Sequence, residues 1–122
     1  MDVLIAVCLI IAAVIHLLPL PGVLGAGWLE RLYGIAIDDP DLLVMMRHRS
    51  LLFGVLGGVL IAGAVHQEWR GLAIVAGLVS AAGFLVIATM VGGYSRGVRR
   101  VVLADVVAVV ALVVAGVVLL LR

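Results

Sequence analysis

From Val101 to Leu121 this chain runs for 21 residues with Asp105 as its one ionisable side chain. At 1.5 Å per residue such a helix is about 30 Å long, which matches the hydrocarbon core of a bilayer. Three further segments repeat the pattern. Val3 to Leu18 is apolar apart from His16 and is stopped by Pro19 and Pro21. A second span is expected over 42–65, with Asp41 as its N-cap directly after Pro40. A third is expected over 72–91, closed by Gly92-Gly93. The links His66–Gly71 and Gly92–Arg100 are short, so neighbouring spans should run antiparallel. The expected fold is therefore all-α: a four-transmembrane-helix antiparallel bundle in one domain, residues 1–122, with spans 3–18, 42–65, 72–91 and 101–121.

Composition leaves little room for a water-soluble alternative. Hydrophobic residues make up 66% of the chain and charged ones 12%, against about a quarter charged in an ordinary soluble domain. So short a chain could not hide that much apolar surface in a single aqueous core. The longer connection, 19–41, contains Trp28-Leu29-Glu30-Arg31-Leu32-Tyr33, whose aromatic and leucine positions alternate with charge as in a short helix lying at the membrane interface. Gly25-Ala26-Gly27 imitates a signal-peptide cleavage site. Asp2, however, stands where a signal peptide carries positive charge, so the first run is expected to remain as a helix.

Several function classes drop out early. A net charge of +1 gives no electrostatic footprint for nucleic acid. All eight basic residues are arginine, which removes Schiff-base lysines and the phosphate lysine of nucleotide-binding loops. Cys8 is the sole cysteine, so no internal disulfide or paired-thiol site exists. Ser50, Ser80 and Thr89 show no evident base partner in the sequence, and no hydrolase triad is expected.

The positions of the remaining ionisable residues carry the functional signal. In an antiparallel bundle His16, Arg47, His48, Arg49 and Asp105 all fall in one half of the membrane, and the other half is almost free of charge. Ser50 to Val65 spans 16 residues, or about 24 Å, so part of the Arg47-His48-Arg49 element should lie within the hydrocarbon slab. Arg47 shares a helical face with Gly54 and Gly58 and is expected to point into the packing seam, with His48 and Arg49 rotated by about 100° and 200°. Asp105 needs a partner, Arg47 or Arg49, or must remain protonated. Two readings stay open: a buried ion pair that ties helices together, and a site for an anionic or carbonyl-bearing ligand from the lipid phase. His16 and His48 could ligate haem iron or pass protons, although a single hydrogen bond to a neighbour is the commoner use. His66 belongs to a loop with Trp69. Tyr94, Arg96, Arg99 and Arg100 read as a cytoplasmic anchor or a phospholipid headgroup site.

Small residues at four-residue spacing should mark helix contacts: Gly54, Gly58 and Ala62; Ala73, Gly77 and Ala81; and Ala104, Ala108, Ala111 and Ala115. Arg31, Arg47, Arg49, Arg96, Arg99 and Arg100 fall on the side of the first and third connections, Arg70 and Arg122 on the other. The positive-inside rule then puts the first side in the cytoplasm and both termini outside.

Leu32-Tyr33-Gly34, Met46-Arg47-His48-Arg49-Ser50-Leu51-Leu52-Phe53-Gly54, Val91-Gly92-Gly93-Tyr94 and Arg99-Arg100-Val101-Val102-Leu103-Ala104-Asp105 together resemble the DoxX-like group of small bacterial membrane proteins. The resemblance covers nearly the whole length, and its most specific parts are the Arg-His-Arg element and the Ala-Asp pair. It implies a four-helix bundle in the bacterial inner membrane. Some members of that group are labelled phosphopantetheine adenylyltransferase; this chain has neither the phosphate-binding loop nor the βαβ pattern such an enzyme needs.

Three functions compete. The first is a non-catalytic subunit or binding protein for a lipid, a quinone or a partner helix, with membrane lipids, another membrane protein or further copies of the chain as partners. The second is a membrane enzyme on a lipid-soluble substrate, an isomerase or quinone-linked redox protein, in which Asp105 or a histidine moves protons and Arg47 stabilises negative charge. The third is a proton or ion pathway through an oligomer, which the one-sided distribution of charge disfavours.

Overall fold

A computed structural model describes residues 1–122 and is helical throughout, with no strand. Helix α1 (Asp2–Leu17) leads through a 3-10 turn (Leu20–Leu24) into the short α2 (Ala26–Tyr33); α3 (Pro40–Val65), α4 (Arg70–Val91) and α5 (Arg96–Leu121) follow. Helix α1 with its 3-10 extension, α3, α4 with the turn before it, and α5 are each long and apolar enough to cross a membrane. Their outer surfaces expose Val44, Val75, Val79, Met90 and Leu120, a covering suited to lipid rather than water.

The helix ends show where reading hydropathy alone falls short. The N-cap of α3 is Asp39, not Asp41: the Asp39 carboxylate accepts from Asp41 N at 2.9 Å, and Pro40 takes the first helical position, where its missing N–H costs nothing. Helix α4 starts at Arg70, directly after a 3-10 turn, rather than at 72. Helix α5 starts at Arg96 rather than at 101, because Ser95 Oγ accepts from Val98 N at 3.2 Å and caps a polar first turn. An apolar run locates a span; the caps locate the helix around it.

Helix α1 packs on α3 and α5, and α4 packs on the same two, which closes the four long helices into a ring. Ile5, Leu9, Leu60 and Leu112 fill its centre among Ala12, Ala73, Ala111 and Ala115. The small residues of α4 and α5 do mark contacts: Ala73, Gly77, Ala81, Ala108, Ala111 and Ala115 are all buried. A methyl group on Gly77 would come within 2.8 Å of Leu112. On α3 the seam lies elsewhere than the four-residue stripe suggests. Ser50, Gly57, Leu60 and Gly63 are the buried residues, while Gly58 faces open space.

Helix α2 ends at Gly34, in the left-handed conformation with φ +69°, its N–H bonded to Glu30 O. Its final turn is clasped to the start of α5. Ser95 Oγ donates to Tyr33 O at 2.7 Å, and Arg100 Nη2 donates to Arg31 O at 3.3 Å. Gly97 lies directly on the Tyr33 carbonyl, leaving no space for any side chain. Tyr33 and Leu29 are buried by this arrangement.

Candidate functional site

The clasp fixes Tyr33, and Tyr33 meets Arg49. The Arg49 guanidinium donates to the Tyr33 hydroxyl, and its central carbon lies 4.4 Å from the centre of the Phe53 ring, 5.3 Å from Phe84 and 5.4 Å from Tyr33. Phe53 is four residues beyond Arg49 on α3, hence one turn away on the same face. Three electron-rich ring faces stabilise a cation by about 0.5–2 kcal/mol each without neutralising it. Burial raises the Tyr33 phenol above its ordinary value, with Arg49 pulling the other way, so the hydroxyl stays protonated and receives the guanidinium bond as a neutral group.

One turn from Arg49 lies a second polar pair. His16, 1% exposed, packs its ring 5.6 Å from Phe53. Its Nδ1 lies 2.8 Å from Ala12 O and its Nε2 lies 3.1 Å from Ser80 Oγ on α4. This is the partner for Ser80 that the sequence did not disclose. The available signal was Ser80's spacing three residues after Gly77 and seven after Ala73, on the face those small residues mark as packed. Because both ring nitrogens of His16 already face protein groups, neither is free for haem iron.

Arg49, Phe53, Ser80, Gly83 and Phe84 line one pocket of about 640 Å³ between α3 and α4. Its remaining walls are aliphatic: Leu52, Leu56, Ala76, Val79 and Ile87. Polar groups thus gather at one part of an otherwise apolar cleft, the usual layout of a small-molecule site. Phe53 also borders a smaller pocket of about 130 Å³ on its other side, together with Asp105, Ala104, Leu32 and Arg100. Asp105 is 4% exposed there and forms no ion pair within 4.0 Å with any arginine.

The other sequence candidates separate. Arg47, expected in the packing seam, is exposed instead, and its Nε donates to Val23 O at 2.8 Å in the 3-10 turn after α1. His48 is also exposed. Of the Arg-His-Arg element, only Arg49 turns inward, because the buried face of α3 runs through Ser50 rather than through Gly54 and Gly58. The structure thus brings Arg49 and Ser80 to one cleft, places His16 behind Ser80, sets Asp105 beside the smaller pocket that Phe53 also borders, and leaves Arg47 and His48 outside.

A third polar group joins the chain ends. Asp2 accepts from Arg70 Nη1 at 3.1 Å and from Arg122, and Arg70 is 5% exposed. Neither Arg70 nor Asp2 lines the Arg49 cleft or the pocket beside Asp105.

No family model, no curated protein and no solved structure matches this chain. The four long apolar helices are compatible with a small multi-pass membrane protein, and the Arg49 cleft is its candidate site.

Proposed function

We propose that the chain is a four-span antiparallel bundle of the DoxX-like kind in the bacterial inner membrane, with both termini outside the cytoplasm. In this reading it is a non-catalytic membrane component that binds a lipid-soluble molecule through an acidic or carbonyl head. The observation that carries the proposal is Arg49, a cation held by three rings and a phenol with no carboxylate in contact, beside a cleft of about 640 Å³ lined by aliphatic side chains. A half-buried arginine with no carboxylate in contact favours an anionic or strongly polarised oxygen when one arrives. The cleft lies between helices, so a ligand can enter from the lipid without crossing water. An enzyme on such a ligand is the second reading, favoured by one observation: Ser80, which lines the same cleft, is hydrogen-bonded to the buried His16 behind it.

The test is native mass spectrometry of the protein in lipid nanodiscs, comparing wild type with Gly83→Leu and Arg49→Met. Gly83 lines the cleft and a Cβ there meets nothing within 4 Å, so the helix accepts a leucine whose side chain takes up cleft space. A co-purifying amphiphile present in wild type and absent from both folded variants supports the site. Retention in both variants would place the ligand elsewhere and sink the proposal.

A further inference from the structure

Building on the reading of the Arg49 cleft as a ligand site, we infer that its occupant carries a hydroxyl group in addition to its acidic or carbonyl head. The reasoning follows protons along one chain of groups. Ala12 O can only accept, so His16 Nδ1, at 2.8 Å, holds the ring proton and donates it. The ring is 1% exposed and has no carboxylate partner, and a neutral imidazole is the form such a site holds. Nε2 is then a bare lone pair, and Ser80 Oγ, at 3.1 Å, must spend its single proton on it.

Ser80 therefore presents only lone pairs to the cleft. Arg49 presents only N–H donors. The cleft thus pairs a donor, Arg49, with an acceptor, Ser80, whose role is set through His16 by the Ala12 carbonyl. Ser80 and Arg49 line the same cleft, and Ser80 lies one turn before Phe84, whose ring is 5.3 Å from the Arg49 guanidinium.

A fatty acid, an ester or an oxidised quinone offers acceptors alone; each satisfies Arg49 and leaves the Ser80 lone pair facing hydrocarbon. An amphiphile with a hydroxyl in addition to its acidic head satisfies both. Sites built to pair a hydroxyl discriminate strongly against analogues that lack it, because a desolvated polar group is then left unmatched.

The experiment offers the protein in nanodiscs an equimolar mixture of tetradecanoic acid and 3-hydroxytetradecanoic acid. Native mass spectrometry reads the ratio of the two complexes, which differ by one oxygen atom. Wild type is expected to prefer the hydroxy acid by about tenfold. Ser80→Ala, which removes one oxygen and keeps the helix, is expected to bind both acids equally, and Arg49→Met to bind neither. Equal binding by wild type, or a preference that survives Ser80→Ala, would overturn the hydroxyl inference and leave the Arg49 site standing. Failure of wild type to bind either acid, with protein folded and cleft open, would remove the acidic-head reading itself.

Discussion

Arg49 and Arg70 are both buried or half-buried arginines on helices of the same bundle, yet their surroundings differ in kind. Arg70 meets a carboxylate: Asp2 bridges it to Arg122, and the three groups tie the first residue of α1 to the start of α4 and the end of the chain. Arg49 meets rings and a phenol, and a large apolar cleft opens beside it. The carboxylate that could have paired with it, Asp105, stands outside ion-pair distance and borders the smaller pocket beyond Phe53. A fold that only needed register could have used the same pairing twice. Arg70 has the environment of a tie, and Arg49 that of a cation with no carboxylate in contact.

The contrast can be broken most forcefully at Gly97. A valine there collides with the Tyr33 carbonyl, forces α2 off α5 and dismantles the support of Arg49. Overpacking against backbone, which cannot rotate away, is expected to cost about 3 kcal/mol, read as a lowered thermal or denaturant midpoint in detergent. Next comes the exchange of roles between the two arginines. Arg70→Met strands Asp2 with Arg122 alone and should lower the midpoint more than Arg49→Met does, though less than breaking a fully buried pair would, because Asp2 is exposed. Arg49→Met should change stability by no more than about 1 kcal/mol, since methionine fills similar space without a charge to desolvate, yet should empty the cleft. Equal stability losses for the two variants would erase the distinction. A smaller and opposite effect is expected at Gly83→Leu, where improved helix propensity raises stability by about 0.5–1 kcal/mol while binding falls. The smallest is Ser50→Ala. Ser50 Oγ is fully buried against Gly22 with no hydrogen-bond partner, so its removal should leave the midpoint within about 0.5 kcal/mol of wild type or slightly above it.

How much of this was legible in the sequence depends on which degree of freedom is asked about. Four long apolar helices and the short amphipathic α2 follow from hydropathy and proline positions, and α2 indeed forms over the Trp28–Tyr33 stretch. Helix rotation does not follow. Arg47 and Arg49 differ by about 200° around α3, so a single wrong choice of seam exchanges inside for outside. The Gly54–Gly58–Ala62 spacing pointed to one seam, but Gly54 receives Leu20 of the 3-10 turn and Gly58 receives nothing. The contact between His16 and Ser80 joins residues 64 apart in sequence, and no local pattern encodes it. Caps were misplaced for a simpler reason: Asp39 and Asp41 flank the same proline, and only backbone geometry decides which carboxylate reaches the free N–H.

The clasp between α2 and α5 also has a consequence for the order in which the protein is made. Synthesis proceeds from the N-terminus, so Tyr33, Arg49 and Phe84 are all made before Ser95 and Gly97. Until then nothing holds the Tyr33 carbonyl, and the ring beneath the guanidinium has no fixed seat. The candidate site is completed from later in the chain, by a serine and a glycine that do not line the cleft. A nascent chain halted before α5 would carry every wall of the large cleft and still lack a settled one.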